Sequence, residues 1–561
     1  MKGNASRFSS ADWIFYDGAV YTVNRARPWA QAVAVSGRQI AYVGSTRGAE
    51  TYRGSNTRMV NLRGAMILPG FVESHLHFVG GAVSDNPDLS ISDADTQDHL
   101  FRLLDQYARD HPDEDPVLGR GWKHVLFPQG PTKEMLDPIF PDRAVQLRSI
   151  DGHSSWVNSV ALERAGIDRS SPDPQPGFSY FVRDEQGEPT GFLMEGASQI
   201  VSEALVNVDS DYVRGAVQRL QPEFSAEGLT TVYDAGVITD CEEEDAFSAL
   251  QELDQEGELA LRVMGSYVLD NDEDAPGAVA RLLEMRDRYH SNHLSVSVLK
   301  IFLDGVPETH TALLLEPYAD RPDFRGTPNL APDTFKSVVT EADRSGIDVH
   351  VHAIGEGATR MTLDAVEAAQ AANGRQGTRH TSCHVYYVEP DDLQRFRQLG
   401  VIAQTSGEWI LWDDFHDLMT VRLGDERTRQ LYRLDSLAAD GAVVTLGSDW
   451  PYSANIVSYS PLLQIEMAHT RRQPGAACAE PLPPENEALS LPEAIASMTI
   501  NGAYQLRMED EVGSIEAGKR ADLVILQKNL FDLPSHEIHD TRVLLTMMDG
   551  RAVHQHPSWD L

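Results

Sequence analysis

MILPGFVESHLHF, residues 66–78, is the stretch that decides the fold. Its apolar run is broken by Pro69-Gly70, resumes as Phe71-Val72, and leads into His75-Leu76-His77. Read as a strand over 71–77, period 2 puts both imidazoles on one face and Leu76 on the other. Two imidazoles so placed can converge on one metal ion. An isolated H-x-H pair is more often an ordinary surface or core feature, so the weight falls on what the chain places beside it.

Working outward, seven more segments read as strands: 228–236, 260–269, 296–305, 347–355, 379–388, 400–407 and 442–451. Helix-like segments separate most of them, such as TFKSVVTEADRSG, ATRMTLDAVEAAQAANG and DDLQRFRQLG, each closing near a glycine. Eight β–α units in this order predict a parallel (β/α)8 TIM-like barrel, whose chemistry belongs at the carboxyl ends of the strands. The span between the first two strands, about 80–225, is too long for one helix and predicts a large insertion after barrel strand 1.

Both termini have a different texture. Residues 12–62 alternate short apolar runs with turn signals, Asp17-Gly18 and Ser36-Gly37 standing where hairpin turns belong. GSIEAGKRADLVIL and TRVLLTMMDGRAVHQ repeat the pattern near the other end. One composite β-sandwich module built from both termini would leave fewer exposed edges than two separate patches. The expected organisation is therefore 1–65 as the first part of the module and 66–480 as the barrel with its insertion. C-terminal barrel helices follow over 481–510, and 511–561 completes the module.

At 561 residues, 41% hydrophobic and 24% charged, the chain has the composition of a folded multidomain enzyme. A net charge of −38 repels nucleic acid and anionic membranes, so neither is expected as a partner. Cys241, Cys383 and Cys478 are too dispersed for a disulfide framework or a Cys-x-x-Cys zinc site. No run of 18 apolar residues and no apolar leader core stands out, so a cytoplasmic protein is expected.

The ionisable residues of the predicted strands collect at one end of the barrel. Strand one carries His75 and His77, strand four Lys300 followed by Asp304, strand five His350 and His352, strand six His384, and strand eight Asp449. Such a set can hold one or two zinc-like ions. Each member has an ordinary alternative: Asp449 could cap a helix, Lys300 could extend to solvent, and His350 and His352 share a face without the pattern choosing between them. What those alternatives leave unexplained is the coincidence of all of them at the right strand ends.

PGFVESHLH, HVHAIGEGA, His384, LGSDWP and VGSIEAGKRADLVIL resemble the amidohydrolase superfamily. GRGWKH (119–124), DGHSSWVNSVAL (151–162), PTGFLMEGA (189–197), LKIFLDG (299–305) and LGDERTRQLYRLDSLAADGA (423–442) are similar to its amidohydrolase-3 branch, which includes N-substituted formamide deformylases. The resemblance covers roughly 12–555. It implies His75, His77, His352, His384 and Asp449 as ligands to one or two divalent ions, zinc first with manganese or iron as alternatives. It also implies Lys300 as a possible carboxylated bridge, Asp449 as the catalytic proton acceptor, a small-molecule amide-type substrate and a homodimer. Trp409, Trp412 and Trp450, with Trp122, His153 and Asp304, are expected on the substrate side. Glu356 stands where the branch usually has Asp, and both VPETHTALLLEP after strand four and QTSGEWILWDDF after strand seven depart from its pattern. Two rival readings remain: a mononuclear deaminase using Glu356 as shuttle, separable by metal count, and a non-catalytic regulatory homologue.

Overall fold

In the computed structural model, which describes residues 10–84, 89–206, 208–238, 241–452 and 456–559, eight parallel strands pair in chain order. They are β1 (Phe71–Leu76), β2 (Leu229–Asp234), β3 (Arg262–Leu269), β4 (Leu294–Phe302), β5 (Asp348–His352), β6 (Thr381–Cys383), β7 (Ile402–Thr405) and β8 (Val444–Leu446). The seam between β8 and β1 is held by side-chain and backbone hydrogen bonds together. Ser74 Oγ donates to the Leu446 carbonyl (2.6 Å), and Asp449 N donates to the His75 carbonyl (2.8 Å). Buried Glu73 accepts from the amides of His75 and Ser448 (both 3.0 Å) and from Gln464 Nε2 (3.2 Å). Gly447 permits this approach, since a Cβ there would lie 2.5 Å from His75 N.

Every predicted barrel strand is present, but two are much shorter than read. β6 stops at Cys383 because His384 (φ 74°) adopts left-handed backbone that ends an extended ladder; β8 stops at Leu446, three residues before Asp449 takes φ 58°. The predicted helices form as Pro332–Arg344, Glu356–Asn373 and Pro390–Leu399, the last closing on Gly400 in the left-handed conformation.

The terminal module is a single eight-stranded sheet. Strand Met66–Pro69 joins the two ends of the chain, parallel to Ala11–Tyr21 and antiparallel to Leu523–Leu526. The first four residues of the deciding stretch thus belong to the module, so the expected boundary at 65 falls just short of it. Ser36-Gly37 does turn a hairpin, between Trp29–Ser36 and Gln39–Gly44. Asp17-Gly18 does not: strand Ala11–Tyr21 runs through it with a register shift, Asp17 taking φ 61°. An Asp-Gly pair suits a β-bulge as well as a turn, and here pairing continues on both sides of it.

Module and barrel lock together through buried charges. Asp549 pairs with Arg262 (3.2 Å), Arg520 (3.1 Å) and His293 (3.0 Å), while Arg262 reaches Asp522 (2.6 Å) and His293 reaches Asp254 (2.7 Å). The insertion is a five-stranded sheet ordered Tyr180–Arg183, Pro189–Met194, Ser154–Val157, Val145–Ser149, Val117–Trp122. Helix Gln97–Asp110 contributes Leu100, Leu104 and Tyr107 to its core. No helix among the described residues is long and apolar enough to cross a membrane.

Candidate metal centre and active site

Strands β1, β4, β5, β6 and β8 each send side chains to one point. His75 Nε2 lies 3.1 Å and His77 Nε2 3.4 Å from Asp449 Oδ1, and His384 Nδ1 lies 3.9 Å from Asp449 Oδ2. The ligand atoms of His75, His77 and Asp449 fall within 4.8 Å of one another. Lys300 Nζ is 3.5 Å from His75 Nε2. His352 joins through its ring, 4.5 Å from that of His384.

These groups suit a cation. Burial dominates in lowering the pKa of His75, His77, His352 and His384 below the ordinary histidine value, which leaves neutral imidazoles with a lone pair to offer. Both ring nitrogens of His384 are buried and make no hydrogen bond to any described residue. A buried imidazole without hydrogen bonds, one nitrogen of it near a carboxylate, is what a ligand side chain shows, and it is costly otherwise. The left-handed backbone at His384 and Asp449 aims both side chains inward, a strain of the kind that collects at functional sites. Lys300 is fully buried, and burial lowers its pKa, favouring the neutral amine.

The second layer includes residues that strand patterns alone do not assign. His350, left undecided beside His352, places Nε2 2.7 Å from His75 Nδ1. His77 Nδ1 meets the Gly236 carbonyl at 2.9 Å. A proton on each of these Nδ1 atoms leaves the Nε2 lone pairs of His75 and His77 free to bind a cation beside Asp449.

A cavity of about 440 Å³ opens over this cluster, lined by His77, His352, Asp449 and Asp304 from the barrel and by Arg148, Asp151, His153 and Glu195 from the insertion. Its apolar walls include Phe178, Val268 and Phe302. His153 sits in the tight turn between Val145–Ser149 and Ser154–Val157. Gly152 in that turn has φ 77°, and a Cβ there would lie 2.1 Å from the Tyr452 ring. His153 Nδ1 pairs with Glu195 Oε2 at 2.9 Å. Burial opposes charge on this ring, but the Glu195 charge and hydrogen bond, with Asp151 and Glu308 beyond, outweigh it and push its pKa up to about 9. Asp151 pairs with His124 at 3.1 Å; burial would raise its carboxyl, yet His124 holds it below the usual carboxylate range. Glu195 and Asp151 both lie in motifs quoted above, but pairing a carboxylate with a histidine 42 positions away needs the folded insertion.

Several substrate-side expectations need correction. Trp122 is fully buried in the insertion core, its indole N–H donating to the Leu147 carbonyl (3.0 Å), and does not line the cavity. Trp450 likewise packs edge-on against Phe224 and Tyr459. Both are large apolar side chains next to functional residues in sequence, and core packing claims them. Trp409 stacks on His384 (5.2 Å, 11°) and lines a small recess beside the cavity. Asp304 reaches the cavity, but its oxygens already accept the amides of Leu313 (2.8 Å), Gly355 (2.9 Å) and Ile354 (3.0 Å). It therefore shapes the ends of β4 and β5 more than it offers an acceptor to a substrate. Glu356 begins its helix, accepts from Leu315 N (3.1 Å) and approaches Arg427 (3.6 Å); it does not line the cavity, which disfavours it as a proton shuttle.

A parallel barrel whose strand ends gather histidines, an aspartate and a buried lysine defines a metal-dependent hydrolase of the amidohydrolase type. The chain belongs to the amidohydrolase family, whose model matches residues 58–554. It is 29% identical to the protein LONG AFTER FAR-RED 3 of Arabidopsis thaliana, over 97% of this chain and 92% of that one. It is 27% identical to the N-substituted formamide deformylase of Arthrobacter pascens, over 96% and 97%. The fold is shared with an uncharacterized metal-dependent hydrolase from Pyrococcus horikoshii OT3 (TM-score 0.72, 23% identity, covering 94% of this chain and 99% of that one).

Proposed function

We propose that the protein hydrolyses the C–N bond of a small N-acyl or N-formyl compound carrying a partly apolar or aromatic substituent. The observation that carries this reading is Asp449, a carboxylate that touches His75 and His77 and also lines the cavity. One or two divalent ions held by His75, His77, His352, His384 and Asp449, with Lys300 as a carboxylated bridge, would supply Lewis acidity at a carbonyl and acidify a water. Asp449 then takes the proton of the attacking water and returns it to the leaving nitrogen. His153, charged at neutral pH and held by Glu195, donates from Nε2 to the carbonyl oxygen as negative charge develops there. The insertion closes over the strand ends and limits water. Phe178, Val268 and Phe302 give the substituent an apolar wall. The likeness to a formamide deformylase along nearly the whole chain supports the bond type.

The test is a panel of N-formyl, N-acetyl, lactam and carbamate compounds offered to the zinc- or manganese-loaded protein. Hydrolysis of an N-acyl or N-formyl member, lost on chelation and restored by metal, is expected. Turnover confined to aminopurine-type deamination, or none at full metal content, would refute the reading.

A further inference from the structure

The loop after β4 carries a carboxyl group that the scheme above does not use. Glu308 is 7% exposed, and its Oε2 is buried without a hydrogen-bond partner among the described residues. It lines a recess of about 30 Å³ whose other walls include Val306, Ile354, Tyr386, Trp409 and Phe415. The recess shares Asp151, His153, Asp449 and Tyr452 with the main cavity, so it is a side chamber of the same site. That volume admits a group the size of a water molecule or an ammonium head, not a ring.

The charges around it do not balance. Asp151 has His124 as its partner and Glu195 has His153, at 3.1 and 2.9 Å. Glu308 is a third carboxyl facing the same two imidazoles, and among the described residues those two are the cations that act on it. An uncompensated buried carboxylate is costly, and burial with the nearby Asp151 charge accordingly raises its pKa to about 7. A monocation seated beside it would relieve both the missing hydrogen bond and the missing charge. The walls are compatible with the same guest: Trp409, Phe415 and Tyr386 line the recess with aromatic rings, one face of Trp409 being covered by His384.

We propose that this recess is an ammonium subsite, with Glu308 as the counterion, so that preferred substrates carry a primary ammonium a short chain away from the scissile amide. The inference rests on the hydrolase reading for the position of that amide, but the subsite itself is read by binding alone. Metal-loaded full-length protein is titrated calorimetrically with propylammonium, 1-propanol and propionate at pH 7 in about 0.15 M salt, which screens the protein's diffuse negative charge. The amine, like a lysine's, is protonated at this pH and has no lone pair for a metal. Propylammonium is expected to bind at least ~10-fold more tightly than the other two. Glu308→Gln should lose that preference, and Glu308→Asp should keep part of it, at unchanged metal content and thermal midpoint. No preference for the ammonium in the unsubstituted protein overturns the inference whatever the variants do. So does an undiminished preference in a folded Glu308→Gln. A protein that binds propylammonium through Glu308 yet hydrolyses no amide keeps the subsite and loses the hydrolase reading; amide turnover without ammonium preference does the reverse.

Discussion

Glu195→Gln should move the alkaline limb of activity while leaving the metal centre intact. Glu195 Oε2 stands 2.9 Å from His153 Nδ1, and both side chains are largely buried. Burial opposes the imidazolium, and Glu195 is the largest of the influences that overcome it to place the ring at about 9. Gln keeps the acceptor oxygen and removes the charge, which lowers the histidine pKa by about 1–3 units. With the ring near 7, the imidazolium fraction at pH 8 falls from about 90% to about 10%, and kcat/KM should fall about tenfold. At pH 6 the two proteins should differ by less than about twofold, because both rings are then charged. Any field from a bound metal is common to both proteins, so the difference between them isolates Glu195. The stability effect has a definite sign. A raised histidine pKa contributes stability that is fully present below the unfolded value of 6.5 and lost as pH rises through about 9. Urea midpoints of wild type and variant should therefore differ most in mild acid and converge above that range. A pH–rate profile on the substrate found by the panel is the primary assay, with the His153 imidazole titration followed by NMR as a check that needs no turnover. If the alkaline limb and the imidazole titration stay where they are in Glu195→Gln, His153 is not the charged donor to the carbonyl.

Asp449→Asn should retain KM within a few-fold and lose at least ~100-fold in kcat, since it keeps the shape and removes the proton acceptor; wild-type kcat would end its role as shuttle. Lys300→Ala should lose one metal equivalent by elemental analysis together with nearly all activity, and full metal content would exclude a lysine bridge. Asp549→Asn should destabilise the protein by about 3–5 kcal/mol in urea at pH 7, because it leaves Arg262 buried with a weakened partner set. Burial opposes ionisation of Asp549, but the His293 hydrogen bond and the Arg262 and Arg520 charges hold its carboxyl well below the usual range. Its contribution is thus present above the unfolded carboxylate pKa near 4 and lost in stronger acid, where wild type and variant should converge.

Much of the barrel was legible because its signals are local. Strand and helix periods, the glycines that end helices, and the Pro-Gly break before β1 depend on neighbours a few residues away. Histidines at strand ends converge whenever the strands close into a barrel, so the pattern alone gathers His75, His77, His350, His352, His384, Lys300 and Asp449, and the family resemblance singles out His352 from its neighbour. The Asp17-Gly18 bulge was misread because one local signal serves two structures, and only pairing across the sheet separates them. Trp122 and Trp450 were misplaced because adjacency to a motif says nothing about which way a large side chain packs.

By itself, then, the sequence determined the eight-fold β–α order, the composite terminal module and the chemical identity of the groups at the barrel mouth. Tertiary structure decided their environment. It set His350 against His75 across 275 positions, gave His153 its charge through Glu195, and left Glu308 Oε2 in a recess with no hydrogen-bond partner among the described residues. The reason is physical. Backbone preference is fixed within a turn or two of chain, but the charge state of a buried group depends on which distant groups exclude water from it and which face it, and only packing brings those together.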